Sequence, residues 1–347
     1  MRNKAAALSV SLALVFTLNM FAARAAQATD APTCPIVADG ETELDCPWAG
    51  IARSLIATSR ENPGAANGHV LQQELIKQVP GFKKDFQLDR SLPTRELWGH
   101  SLNFDEYAKV IIIEPAILET VSQSIGVPSP AAPVEGVNGM IAHAGAQHTY
   151  GYLFSVEKTA FGFKRARWVR EDIEAGFGFP RGTVGPTPKK GSLFTNVSYL
   201  LARLSMQDDR HAHSIANVVA PMVPKQLRNY AFSKLEAQRL EERVEIGSRV
   251  ITIRTDFFRF PNPPAVIPSA PAPNSQLLVY SIRDTEDHNH VRVISAFPVA
   301  ESFAAGVFAA NLMGDNQPIV TKYNAFVAGL TGKTIVGSRK RSTLILK

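Results

Sequence analysis

Histidines carry the most usable chemistry in this chain. Six of its eight fall in three close pairs, and an ordinary imidazole titrates where proton transfer near neutral pH is done. The first pair, His143 and His148, lies in the segment Gly139-Met-Ile-Ala-His-Ala-Gly-Ala-Gln-His-Thr-Tyr-Gly-Tyr152. A spacing of five puts two side chains on opposite faces of a strand and well apart around a helix. The two imidazoles therefore meet only through a bend, and Gly145 between them is the residue that allows one. Immediately downstream, Phe161-Gly-Phe-Lys-Arg-Ala-Arg-Trp-Val-Arg170 interleaves cations with aromatic residues. Read as a strand, it sets Lys164 with Ala166 and Trp168 on one face, and Arg165 with Arg167 on the other. Guanidinium forks match carboxylate, sulfate and phosphate groups. Together the two segments predict a site. His143 and His148 are its general acid and base, Lys164 its catalytic cation, and Tyr150, Arg165 and Arg167 its substrate-binding groups. The plainer reading of the second segment is a solvated face with Phe161, Phe163 and Trp168 in the core.

The second pair, His211 and His213, sits in Gln207-Asp-Asp-Arg-His-Ala-His-Ser214. In extended chain they share a face, and Asp208 or Asp209 joins them. Imidazole plus carboxylate suits a divalent transition metal such as zinc, so His211, His213 and Asp209 are the candidate metal ligands. The spacing matches no specific metal motif, and the chain has no His-Glu-x-x-His. The third pair, His288 and His290, lies beside Asp284, Glu286 and Asp287 and reads as a solvated hairpin tip. No Gly-x-Ser-x-Gly elbow, phosphate-binding loop or dinucleotide fingerprint is present. The glycines of Gly176-Phe-Gly-Phe-Pro-Arg-Gly182, continuing to Gly191, read as a mobile loop.

The elements that must position these residues are mixed. A helix is expected over His69–Val79, stopped by Pro80-Gly81. A second is expected over Lys225–Val244, where Leu227, Ala231 and Leu235 recur at four-residue spacing and Leu240 and Val244 continue the apolar face. Val110–Ile113 reads as a short buried strand. Arg249–Phe260, Leu277–Ile282 and Val291–Val299 are rich in β-branched and aromatic residues, with Pro318–Tyr323 as a further candidate strand. The last two of the main three are joined by a polar hairpin connection. The expected fold class is α+β, with a mainly antiparallel sheet in the C-terminal third and a helical middle segment.

Residues 1–28 read as a secretory signal peptide: Arg2 and Lys4, an apolar run from Ala5 to Phe21, then Ala26-Gln27-Ala28 as a cleavage site. This predicts a periplasmic or secreted protein of 319 residues with no membrane span. The two cysteines, Cys34 and Cys46, are expected to pair as one disulfide that staples the mature N-terminus. The full chain has 37 basic and 31 acidic side chains. Loss of Arg2, Lys4 and Arg24 leaves 34 against 31, a charge of about +3 that does not support nucleic-acid binding. Proline-rich stretches at 127–133 and 261–273 mark an N-terminal region (29–126), a central α+β region (135–260) and a strand-rich C-terminal region (274–347). One integrated domain over 47–347 is the alternative. The function expected is an exported hydrolase using histidine acid–base chemistry on an anionic small molecule or polymer held by Lys and Arg. Its alternatives are a non-catalytic extracytoplasmic binding protein for an anionic ligand or partner, and a structural protein.

Overall fold

The computed structural model describes residues 46–64, 67–105, 110–111, 113, 115–126, 142–155, 158–159, 162–185, 192–205, 209–246, 249–266, 268, 272–284, 290–312, 325–326 and 341–346. The expected signal peptide, Cys34, the first proline-rich stretch, His288 and Pro318–Tyr323 lie outside the described residues, so the expectations placed on them do too.

The fold is α+β. Helices occupy most of the described residues that precede the large sheet: α1 (Cys46–Glu61), α2 (Asn67–Gln78), α3 (Phe82–Asp89), α4 (Leu92–Leu97), α5 (Pro115–Ser124), α6 (Gly145–Phe154), α7 (Ala166–Val169), α8 (Asp172–Phe177), α9 (Leu193–Ser205), α10 (Arg210–Val219) and α11 (Lys225–Arg228). Among them lie β1 (His100–Leu102), β2 (Phe104–Asp105), β3 (Val110–Ile111), β4 (Ala142–His143), β5 (Lys158–Thr159) and β6 (Gly162–Phe163). The C-terminal third builds β7 (Ala237–Ile246), β8 (Arg249–Arg259), β9 (Asn274–Asp284), β10 (Val291–Ala300), α12 (Glu301–Leu312), β11 (Ala325–Phe326) and β12 (Arg341–Leu346). An antiparallel sheet of order β10-β9-β8-β7-β12 results, and a second small sheet orders β11-β1-β4. The 261–273 stretch therefore joins two neighbouring strands of one sheet, β8 and β9.

One buried cluster runs from Trp48 in α1 to Ala296 in β10 and unites the helices with one side of the sheet through Phe258, Leu277, Val279 and Val293. The alternate residues Phe257, Leu278 and Val299 join Ala304 and Val307 of α12 in a second, smaller cluster. That division follows from the two-residue period of a strand whose both faces are covered.

The helix expected over His69–Val79 is present as α2, with Leu71 and Leu75 buried on its inner face. The helix expected over Lys225–Val244 is not. α11 stops at Arg228, a single 3₁₀ turn follows at Phe232–Lys234, and Ala237–Ile246 is strand. Cross-strand chemistry decides the matter. Arg239 stands opposite Asp256 and Glu241 opposite Arg254 in the β7–β8 register, and both pairs form ion pairs. Opposite charges directly facing one another stabilise an antiparallel pair. Leu240, between them, is buried against Phe257 and Leu278. The Phe161–Arg170 segment is likewise not a strand. Pairing ends at Phe163, and the chain turns into the one-turn helix α7. The Gly176–Gly182 segment is pinned rather than loose. Gly176 lies so close to Phe260 that a Cβ would sit 2.5 Å from its ring. Glu174 in α8 accepts from the backbone N–H groups of Val184 and Gly185 at 2.9 and 2.6 Å.

Candidate active site

Helix α6 is the centre of the helical layer: every one of its ten residues is buried, polar ones included. Such a helix must find partners for its polar side chains inside the protein. Its start is set by Gly145, whose φ of +56° is the left-handed region that favours glycine. A Cβ there would also lie 2.3 Å from Asp89 Oδ1. That oxygen accepts from the backbone N–H of Ala146 at 3.0 Å, so Asp89 at the end of α3 caps α6. Four residues earlier on α3, Asp85 does the same for α9. Its oxygens accept from the backbone N–H groups of Phe194 (3.1 Å) and Thr195 (2.9 Å), from the Thr195 hydroxyl and from the Tyr150 hydroxyl (2.5 Å). Negative charge at a helix N-terminus is favourable. Burial nevertheless raises the Asp85 carboxyl from 3.8 to about 6, with its hydrogen bonds pulling the other way.

The bend at Gly145 brings the first histidine pair together. His143, on β4, and His148, on α6, stack with ring centroids 4.9 Å apart, and His148 Nδ1 lies 3.0 Å from His143 Nε2. The other nitrogen of His148, Nε2, lies 3.0 Å from Ser295 Oγ on β10. His143, His148 and Ser295 are 0, 1 and 5 % exposed. Burial holds the His148 imidazole well below its ordinary value, and the charges of His143 and Lys164 push the same way. The Tyr152 ring stands edge-on to His148, with centroids 4.5 Å apart, and the Trp98 ring lies at 6.0 Å. Trp98 is itself fixed by donating its indole N–H to Ser198 at 3.0 Å.

Ser295 owes its position to an irregularity in the sheet. The β9–β10 register runs Val293↔Ser281 and then Ser295↔Tyr280, so Ile294 is an extra residue. A bulge of this kind re-aims the side chains beside it. β10 is also the edge of the large sheet, and its outer side meets Trp98 through one parallel bridge and the Gly99 N–H, which donates to the Val293 carbonyl at 2.9 Å.

Lys164 and Arg167 stand over Phe297, two residues beyond Ser295. The Lys164 ammonium is 5.4 Å and the Arg167 guanidinium 4.7 Å from its ring centroid. Lys164 also lies 6.0 Å from the Tyr152 ring. All three of Lys164, Arg167 and Phe297 are half-buried. The structure thus brings His143, His148, Lys164 and Arg167 into one neighbourhood. It sets two other expected site residues elsewhere. Tyr150 is a core strut, its hydroxyl on Asp85 and its ring edge-on to Phe82. Arg165 is fully buried, donating to the Ser155 carbonyl and lying over Phe163, and burial lowers its guanidinium to about 10.

The expected metal ligands part company. His211 and His213 lie on α10, not in extended chain, and two residues on a helix are about 200° apart. Asp209 is the N-cap of α10, accepting from the His211 N–H at 2.8 Å with one oxygen and from the Val291 N–H at 3.0 Å with the other. His290, expected at a solvated tip, is instead buried, with Nδ1 3.1 Å from Asp209 Oδ2 and Nε2 donating to the Glu96 carbonyl at 2.8 Å. His213 is exposed and makes no part of this group. Among the described residues, no three His, Cys, Asp or Glu side chains are placed to hold a metal ion. No helix among them is long and apolar enough to cross a membrane.

Comparison of the chain with protein-family models, with curated proteins and with solved structures gives no match in any of the three.

Proposed function

We propose that this protein is an exported hydrolase in which His148 moves the proton, His143 holds its ring and Lys164 and Arg167 draw in an anionic substrate. The observation that carries this reading is the hydrogen-bonded approach of the two imidazoles, with the outer nitrogen of His148 aimed at a hydroxyl. A neutral imidazole has one donor and one acceptor nitrogen, so a bond to Nδ1 dictates what Nε2 can do. With His143 Nε2 accepting from Nδ1–H, His148 Nε2 is left as an acceptor, which is the state a general base needs. The lowered affinity of His148 for protons supports the same role, because the ring stays unprotonated at neutral pH. Two cations over one half-buried aromatic ring give an anion a place to dock beside the relay.

The test is hydrolysis of a panel of anionic carboxylic and phosphoric esters by the exported chain. His148→Ala is expected to slow turnover by a factor of about 10²–10⁴ while leaving the chain folded by circular dichroism. Wild-type turnover no faster than buffer across the panel would overturn the reading. A second reading, a binding protein for an anionic ligand, rests on the two cations over Phe297 alone, which need no proton transfer from the buried imidazoles. It predicts ligand affinity that His148→Ala leaves intact and that Lys164→Ala and Arg167→Ala lower.

A further inference from the structure

We propose that Ser295 is the nucleophile of a Ser295–His148–His143 relay that takes an acyl group from an anionic carboxylic ester. This rests on the hydrolase reading above and names the atom that attacks. Three observations point to it. The Oγ–Nε2 and Nδ1–Nε2 distances are both 3.0 Å, so hydroxyl, base and orienting group form one continuous line. That is the arrangement by which a weak hydroxyl nucleophile is activated on unrelated folds, where roles and geometry rather than sequence order define it. The hydroxyl is delivered by the bulge at Ile294 on an edge strand, a backbone device common beside active sites. Past the bulge, Ser295 and Phe297 share a face of β10, so Lys164 and Arg167 stand over the same stretch of strand as the nucleophile.

The chemistry balances without a further reactant beyond water. The Ser295 Oγ lone pair attacks the ester carbonyl carbon as the Oγ–H proton passes to His148 Nε2. The carbonyl π pair moves onto its oxygen. On collapse, the bond from the acyl carbon to the leaving oxygen breaks, and that oxygen takes the proton from Nε2 and departs as an alcohol. Water then attacks the acyl-Ser295 carbonyl and gives a proton to Nε2. The proton returns to Oγ as the carboxylic acid leaves. Through both halves His148 Nδ1–H stays bonded to His143 Nε2.

The orienting group also argues for an ester over an amide. A carboxylate in that place stabilises the imidazolium by charge, whereas His143 fixes the tautomer and adds no negative charge. Lys164 lies close enough to disfavour the imidazolium further. Such a base suits an acyl group with a good leaving group. The same features make the imidazolium a strong acid toward the departing alkoxide.

The decisive experiment treats the wild-type exported chain with a small alkyl fluorophosphonate, whose phosphorus a serine relay phosphonylates with loss of fluoride. Intact mass should show one adduct per chain, and peptide mapping should place it on Ser295. Ser295→Ala should remove the adduct and lower ester turnover at least about 10³-fold. Its urea midpoint should stay near wild type. His148→Gln should slow labelling at least about 10²-fold. An adduct on any other residue, or none at all, overturns the assignment. Ester hydrolysis that needs His148 but survives Ser295→Ala would overturn the serine alone, leaving water as the nucleophile and the hydrolase reading standing. Absence of both adduct and turnover would remove the two together.

Discussion

Helix α6 carries two buried polar networks, two residues apart, and they are built on opposite plans. Tyr150 faces Asp85, where four donors from three residues converge on one carboxylate. His148 faces Ser295, and its two ring nitrogens meet one neighbour each, His143 on one side and Ser295 on the other, in a single line. The first plan fixes α3, α6 and α9 to one another, because removing its centre strands every donor at once. The second spends little on rigidity. Its middle member can accept a proton on one nitrogen while donating on the other, which is what transfer chemistry needs and a clamp does not. Side chains two apart on a helix point about 200° away from each other, so one helix serves both plans without their interfering.

The clamp gives the largest effect on stability. Asp85→Ala leaves the Tyr150 and Thr195 hydroxyls and two backbone N–H groups without their acceptor, each worth about 1–3 kcal/mol when buried. A loss of at least about 3 kcal/mol is expected in urea unfolding of the full chain, with ester turnover per folded molecule unchanged. A loss below about 1 kcal/mol would show that the carboxylate is not the centre of the network. Ser295→Ala should do the reverse, lowering turnover far more than it moves the urea midpoint.

The approach of His143 to His148 is legible in the sequence, and the reason is local. Gly145 between His143 and His148 is a backbone argument that needs no partner from elsewhere in the chain, and the bend it predicts is the one that joins the imidazoles. Ser295 was not legible. It sits in an apolar stretch, Val291-Arg-Val-Ile-Ser-Ala-Phe297, with no neighbouring motif, and is selected by a register shift that only strand pairing creates. The same limit explains why Lys225–Val244 is not one helix. Leu227 and Leu235 are four-residue multiples apart, but Gln238-Arg-Leu-Glu-Glu-Arg-Val244 also alternates, and only the charges across on β8 choose between the two periods. The acidic neighbours of His290 in sequence point to solvent, whereas Asp209, far away in sequence, encloses it.

An intermediate effect should come from the residue that both networks share through α6. Gly145→Ala forces an L side chain into φ +56° and drives its Cβ onto Asp89 Oδ1. Left-handed backbone at a non-glycine residue costs about 1–3 kcal/mol. Because the same turn sets the approach of His143 to His148, turnover and stability should fall together, as they should not for Asp85→Ala or Ser295→Ala. Loss of stability alone would mean that the imidazoles find each other without the glycine.

The sharpest contrast is in pH dependence, because the two networks titrate with opposite sign. Asp85 is raised from 3.8 to about 6 in the fold, so between these values the folded chain holds a proton that the unfolded chain has lost. Its contribution is full below about pH 4 and declines as pH rises through about 6, by an amount on the order of 3 kcal/mol at 1.36 kcal/mol per unit. His148 is lowered from 6.5, so the unfolded chain binds the extra proton. Its contribution is full above pH 6.5 and is lost as pH falls below it. Paired unfolding curves from pH 4 to 8 separate the two. The stability of wild type minus that of Asp85→Asn should decrease as pH rises, and wild type minus His148→Gln should increase. Slopes of the same sign would mean that one of the two groups is solvated in the folded chain. The contrast between a fixed clamp and a proton-passing line would then be lost at that residue.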